Sequence, residues 1–255
     1  MRIRITLNAL EQAPIPINYN YFLTAMIYRF LAASSGEYAE FLHDHGYKPE
    51  GSRNGLKLFT YSMLRGPHRL DRDMIAFTGP VEWLLSSPVK PFVQHLVNGL
   101  FERGAEIAIG PSGGRCRFRV EAVETMAQPV FRNRMKFVCL SPITVSAAVE
   151  NGPAHYIRPW ENEFSDAVKR NLMRKYQLIY GRKARDSAFE IRIDNDYMNR
   201  RSGKIMKGIT FKKAKIAGFL APFTVTGGPK LIEIGYECGF GDKGSMGCGM
   251  VECAV

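Results

Sequence analysis

The sequence predicts an α+β protein made of two tandem ferredoxin-like βαββαβ domains, and three observations carry that reading. Alternating and helix-period apolar segments follow one another through the first half in the order β-α-(α)-β-β-α-β. The second half has the same outline without a strict sequence repeat. The length of 255 residues, at roughly 150 per domain, allows one large or two small domains. A boundary near 125–132 divides the chain into domains 1–126 and 127–255.

The first half is read element by element. Ile3, Ile5 and Leu7 alternate with Arg4, Thr6 and Asn8, as in a half-buried strand. Pro14 and Pro16 mark a loop. Asn18 or Asn20 can then cap a helix whose face is Phe22, Leu23, Met26, Ile27, Phe30 and Leu31. After Ser34-Ser35-Gly36 a short second helix is expected from Glu37 to His45, stopped by Gly46 and Pro49. Leu58 to Leu64 reads as a strand rich in β-prone residues, and Met74 to Thr78 as another. Phe92, Val93, Leu96, Val97, Leu100 and Phe101 form a second helical stripe, ended by Gly104. Ile107 and Ile109 open a strand that breaks at Gly110 to Gly114. The alternation of Cys116, Phe118 and Val120 with Arg115, Arg117 and Arg119 continues it.

In the second half, Met135 to Leu140 and Ile143 to Val149 are strand-like around Ser141-Pro142. Phe164, Val168, Leu172 and Tyr176 share one face of a helix expected from about Glu161 to Tyr180, with Gly181 after it. Phe189, Ile191 and Ile193 alternate with Glu190 and Arg192. A long strand-like segment covers Gly208 to Thr226, Leu231 to Ile234 suit a short helix or turn, and Met250 to Val255 suit a closing strand.

Composition narrows the function. Hydrophobic residues at 45% and charged residues at 23% support a packed core and argue against disorder, collagen and coiled coil. No apolar run approaches the roughly 18 residues of a membrane span. The N-terminus lacks the apolar stretch of a signal peptide, so a cytoplasmic protein with no membrane association is expected. Lys and Arg number 35 against 24 Asp and Glu, a net charge of +11 that favours a phosphate-rich partner. The five cysteines are odd in number and form no C-x-x-C, so buried thiols are expected rather than disulfides or zinc.

The densest local signal is Gly235 to Gly249, in which six of fifteen residues are glycine. Glycine lets backbone amides approach a phosphate and adopts positive φ at little cost. Gly239, Gly241, Gly244, Gly247 and Gly249, with Lys243 adding charge, are candidates for RNA contact; a turn that brings the last strand home is the competing reading. The Walker A order is absent. Gly239-x-Gly241-x-x-Gly244 lacks the following βαβ unit of a dinucleotide site. Seven basic residues and no acid lie between Arg200 and Lys215, among them Lys207 and Lys212. Arg182, Lys183, Arg185, Arg132, Arg134 and Lys136 add to the charge. With Tyr197 and Phe211 interleaved, this resembles a groove for RNA; a solvated strand face is the alternative.

The histidines are His43, His45, His68, His95 and His155. His95, within a helical stripe, reads as structural. His43-x-His45 lacks a third ligand of matching spacing, so no metal or other cofactor is expected. RNA cleavage does not require one. A ribose 2′-hydroxyl can attack the adjacent phosphate if a base takes its proton, an acid protonates the departing 5′ oxygen and a cation stabilises the phosphorane.

Several segments, in order, resemble the CRISPR repeat-processing endoribonucleases of the RAMP superfamily. They are Asn18 to Leu23 through Ile27-Tyr28, Phe41-Leu42-His43-Asp44, Lys57 to Ser62, Leu140-Ser141-Pro142-Ile143, and the glycine-rich run Gly235 to Met250. The resemblance implies two ferredoxin-like folds facing across a basic cleft. It also implies metal-independent cutting of CRISPR precursor RNA within its repeats, leaving 5′-hydroxyl and 2′,3′-cyclic phosphate ends. The family's Tyr-His-Lys set corresponds to Tyr28, His43 and Lys57, with His45 the alternative histidine because the segment after it is long. The implied partner is CRISPR repeat RNA, with subunits of an effector complex a further possibility and the chain itself a monomer or homodimer. The competing expectations are a non-cleaving repeat RNA-binding subunit and an unrelated RNA-binding module; neither half carries the aromatic signature of the latter.

Overall fold

The computed structural model describes residues 1–11, 13–48, 55–111, 114–147, 155–185 and 188–254. The expected segments reaching into 49–54, 112–113, 148–149 and 255 lie partly outside the described residues. The chain forms two compact units, Met1–Lys57 with Met63–Ala127, and Leu58–Ser62 with Gln128–Val255. The partition is therefore not a single cut in the sequence.

In the first unit β1 (Arg2–Ala9) is followed by β2 (Ile15–Pro16), α1 (Asn20–Ser34) and α2 (Gly36–Glu40). The short β3 (Thr60–Tyr61) falls in the stretch that belongs to the second unit. The first unit resumes with β4 (His68–Asp71), β5 (Met74–Phe77), β6 (Val81–Ser86), α3 (Lys90–Glu102), β7 (Glu106–Ile109) and β8 (Cys116–Met126). β1 pairs antiparallel with β6 on one side and β8 on the other, and β8 pairs with β7. Ile3, Ile5 and Leu7 point into the core, as their alternation requires. α1 buries Leu23, Met26, Ile27, Phe30 and Leu31, the spacing of one helical face. α1 and α3 pack so closely that a Cβ at Gly99 would collide with the Phe30 carbonyl.

The structure corrects several expectations here. The α1 N-cap is Tyr19, with no side-chain cap bond, rather than an asparagine; Asn20 is the first helical residue and is buried. The Tyr19 hydroxyl instead accepts from the Leu64 amide at 3.0 Å. The strand expected over Leu58 to Leu64 is only the two residues of β3. The longer strand of that region is β6, whose Val-Glu-Trp-Leu-Leu-Ser has too little alternation to show a period of two. Tertiary burial on both faces, not patterning, makes it a strand.

The second unit contains β9 (Arg134–Cys139), β10 (Ser146–Ala147), β11 (His155–Tyr156), α4 (Phe164–Tyr180), β12 (Glu190–Ile193), α5 (Asn195–Arg200), β13 (Met206–Phe211), β14 (Ala214–Phe219), β15 (Phe223–Thr226), α6 (Pro229–Cys238) and β16 (Val251–Cys253). Its sheet has the order β12-β15-β9-β16. With α4 after β9 and α6 after β15, this is the ferredoxin-like βαββαβ order with the β13–β14 hairpin inserted. Phe137, Phe223 and Phe240 pack ring against ring at its centre. The long strand expected over Gly208 to Thr226 is this hairpin plus β15. The chain reverses at Lys212, whose φ is +54°, and leaves the hairpin at Leu220. Phe211, expected as an exposed stacking platform, is buried with Ile209, Ile216 and Cys248. Among the described residues no helix is long and apolar enough to cross a membrane.

Candidate active site

The structure brings Tyr28, His43 and Lys57 together within the first unit. Tyr28 is half-buried in the middle of α1. After α2 the chain widens into a single π-turn, Phe41–His45, closed by the Gly46 amide donating to the Phe41 carbonyl at 2.8 Å. Such turns re-aim side chains and recur at functional sites. Here the turn sets the His43 ring edge-on to Tyr28, with centroids 5.3 Å apart and planes at 83°. The His43 side chain is 69% exposed.

Lys57 arrives from the far side of the segment after His45. Tyr47 and Leu56 exchange backbone hydrogen bonds of 2.8 and 2.7 Å, fastening the ends of that segment together. Tyr47 is held in turn by Tyr38, hydroxyl to hydroxyl at 3.1 Å, and by the edge of Phe41. The clamp delivers Lys57, whose Nζ donates to the His43 carbonyl at 2.6 Å. Gly46 makes room for it: its φ is +63°, and a Cβ there would lie 2.9 Å from the Leu56 carbonyl and 3.3 Å from Lys57 Nζ. It is His43, rather than His45, whose ring meets Tyr28 and whose carbonyl holds Lys57.

The electrostatics divide the labour. His43 Nδ1 lies 2.6 Å from Asp44 Oδ1. A carboxylate only accepts, so Nδ1 carries a proton, and in the neutral ring Nε2 is the nitrogen with the free lone pair. That hydrogen bond holds the Asp44 carboxyl below the usual carboxylate range. Burial, then the Asp44 charge, pushes the Tyr28 hydroxyl up to about 12, so it is a neutral donor near pH 7. Burial lowers the Lys57 pKa, with Asp44 opposing the shift, which makes its ammonium a stronger acid than a free lysine. In the sequence Asp44 stands only as part of the Phe41–Asp44 segment, with no role of its own; its position next to a candidate base was the available signal.

The glycine-rich residues lie in the second unit. Gly239, Gly241, Gly247 and Gly249 have φ of +83°, +81°, +76° and +82° and are buried. A Cβ at Gly241 would strike the Thr144 carbonyl, one at Gly249 the Phe240 carbonyl, and one at Gly244 would lie 2.6 Å from the Phe59 carbonyl. These close approaches are to the chain's own backbone. Two side chains that sequence reasoning missed tie the loop down. Asp242 accepts from the Ser146 amide and hydroxyl and from Asn171. Lys175, buried in α4, reaches the carbonyls of Gly239 and Gly241. Lys243 is half-buried, with φ +61°. Lys207 and Lys212 are exposed on the β13–β14 hairpin. The hairpin's apolar side packs on Cys248 and Met246 of the loop. His95 accepts or donates at 3.0 Å with Ser34 and stacks on Tyr38, a structural setting.

The fold places the chain in a class of proteins with two ferredoxin-like units. The family follows from two matches: "CRISPR associated protein Cas6, C-terminal" over residues 126–253, and "CRISPR-associated protein Cas6, N-terminal" over residues 14–123. The chain belongs to the Cas6 family. It is 30% identical over 266 residues to CRISPR-associated endoribonuclease Cas6 1 of Methanocaldococcus jannaschii, covering 98% of this chain and 92% of that protein. It is 32% identical to CRISPR-associated endoribonuclease Cas6 of Pyrococcus furiosus, covering 93% of this chain and 83% of the relative. A solved structure of a Cas6-related gene product from Pyrococcus furiosus superposes with a TM-score of 0.82 at 25% identity, covering 100% of this chain and 98% of that one.

Proposed function

We propose that the chain is an endoribonuclease that cuts CRISPR precursor RNA within its repeats, without a metal, at Tyr28, His43 and Lys57. The observation that carries the reading is His43. Its Nδ1 is engaged by Asp44, its Nε2 is left to take a proton, and Tyr28 and Lys57 stand beside it. The naming of its relatives as Cas6 endoribonucleases supports the substrate class.

In this mechanism His43 Nε2 takes the proton of a ribose 2′-hydroxyl, and the 2′ oxygen forms a bond to the adjacent phosphorus. Lys57 and the neutral Tyr28 hydroxyl donate hydrogen bonds to the phosphorane oxygens. The bond from phosphorus to the 5′ oxygen breaks. Lys57 supplies that oxygen's proton and regains one from solvent, to which His43 releases the proton it took. The products are a 5′-hydroxyl and a 2′,3′-cyclic phosphate. Lys207, Lys212 and Lys243 serve as contacts to the RNA backbone, joined by the amide of Gly244. Gly239, Gly241, Gly247 and Gly249 shape the loop that presents them.

The test is cleavage of the host's repeat RNA in EDTA, with a substrate carrying one 2′-deoxy at the cut and a His43→Ala protein alongside. Wild type should cut in chelator, and both controls should block cutting. If wild type binds tightly and leaves the RNA whole, the non-cleaving RNA-binding subunit replaces this reading.

A further inference from the structure

The chain has two tryptophans with opposite fates. Trp83 is wholly buried in β6, whereas Trp160, in the turn before α4, is 52% exposed. Leaving a large aromatic surface in water forgoes the burial that such rings usually contribute, so its setting needs a reason. The Arg158 guanidinium lies over the indole, 5.7 Å from the ring centroid. Beside the ring opens a slot of about 220 Å³ lined by Trp160, Ile191, Ile193, Met198, Asn195 and Arg192. Its walls are flat aromatic and aliphatic surface. Its polar groups are one amide and one guanidinium, and none of the described residues lining it is acidic.

The slot is held by fixed elements. Ile191 to Ile193 belong to β12, the outer strand of its sheet, paired on one side with β15. Asn195 and Met198 lie on α5, whose start is capped by Asp194 accepting from the Tyr197 amide at 2.8 Å. Arg192 is steadied by Glu190 at 2.7 Å. The pocket thus has two walls on hydrogen-bonded elements and carries its aromatic group on the third.

We propose that this slot takes one unpaired nucleobase of bound RNA, stacked on the Trp160 indole, with Asn195 and Arg192 at its polar edge. The proposal rests on the reading of the chain as an RNA-cutting protein. A flat π surface, an amide that can both donate and accept, and guanidinium groups for the neighbouring phosphate suit a single-stranded nucleotide. An anion alone would have no use for the apolar walls, and an apolar peptide no use for the Arg192 guanidinium.

Because Trp83 is sealed from solvent, tryptophan emission reports on Trp160 when RNA binds. The experiment titrates full-length protein with repeat RNA carrying 2′-deoxy at the cut, following fluorescence and affinity together. Saturable quenching is expected. Trp160→Ala should abolish the quenching and weaken Kd roughly tenfold or more, the effect of losing a base–aromatic stack. Trp160→Phe should retain most of the affinity. RNA made abasic at one position should reproduce the loss in wild type and show no further loss in Trp160→Ala. Tight binding without quenching, or equal affinity for Trp160→Ala, would overturn the slot while leaving the cleavage reading intact. Equal quenching by a fully abasic RNA would assign the site to phosphate and overturn the base. Failure of every protein to bind repeat RNA would remove both.

Discussion

The Nζ of Lys175 lies 2.7 Å from the carbonyl oxygen of Gly239, and 2.8 Å from that of Gly241. A buried ammonium in α4 therefore ties down the glycine-rich loop from beneath. It supplies donors to carbonyls that positive-φ backbone turns away from the usual ladder partners. The burial lowers its pKa, with Cys238 and then Asp242 opposing.

Replacing Lys175 by Met keeps the length and removes those donors. Two buried acceptors left unpaired cost roughly 1–3 kcal/mol each, so a loss of about 2–6 kcal/mol in urea unfolding is expected. A variant as stable as wild type would show that the loop holds itself.

Gly241→Val places a branched side chain at φ +81° with its Cβ against the Thr144 carbonyl. The strain of roughly 1–3 kcal/mol for the backbone alone, plus the clash, should lower the thermal midpoint markedly. An unchanged midpoint would make the loop a tolerant turn.

Gly46→Ala acts on the candidate site more than on the fold. Its backbone needs φ +63°, and the methyl would press on Leu56 and Lys57. Strain of about 1–2 kcal/mol is expected in stability. The cleavage rate should fall further than that stability loss explains, because Lys57 is displaced from the His43 carbonyl. Single-turnover rates on folded protein measure it; a wild-type rate would detach Lys57 from the chemistry.

Tyr28 gives a pH prediction with a definite sign. Its pKa is raised to about 12, so the neutral phenol persists throughout the range from pH 5 to 10 and adds no limb there. Tyr28→Phe should therefore lower the rate, by about 10² for one lost donor, without changing the shape of the pH profile. A basic limb below pH 10 that vanishes in Tyr28→Phe would mean that the phenolate is the working form.

The hairpin lysines are tested by salt. Lys207→Ala with Lys212→Ala should weaken RNA binding and make the slope of log K against log salt shallower by about 0.7 per lysine on single-stranded RNA. An unchanged slope would take the hairpin off the binding surface.

The linear pattern carried much of this fold. The alternation of Ile3, Ile5 and Leu7 and the stripe from Leu23 to Leu31 declare a strand and a helix, because each buries one face and the burial period is written in the residues. The same patterning fails at β6, whose residues are buried almost throughout and so show no period, and at the Lys212 reversal, where charge conceals a turn. Tyr28, His43 and Lys57 could be nominated from residue type and from a family resemblance. Composition could say only that a basic chain suits phosphate.

What only the tertiary structure decided is which of these groups meet and what state they are in. His43, within a π-turn, is the histidine whose ring lies edge-on to Tyr28. The Tyr47–Leu56 clamp brings Lys57 across fourteen residues of chain to the His43 carbonyl. Gly239, Gly241 and Gly249 proved to be places where the chain approaches its own backbone. Distance, burial and hydrogen-bond partner are properties of the folded chain. They decide protonation and reach, and adjacency in sequence does not determine them.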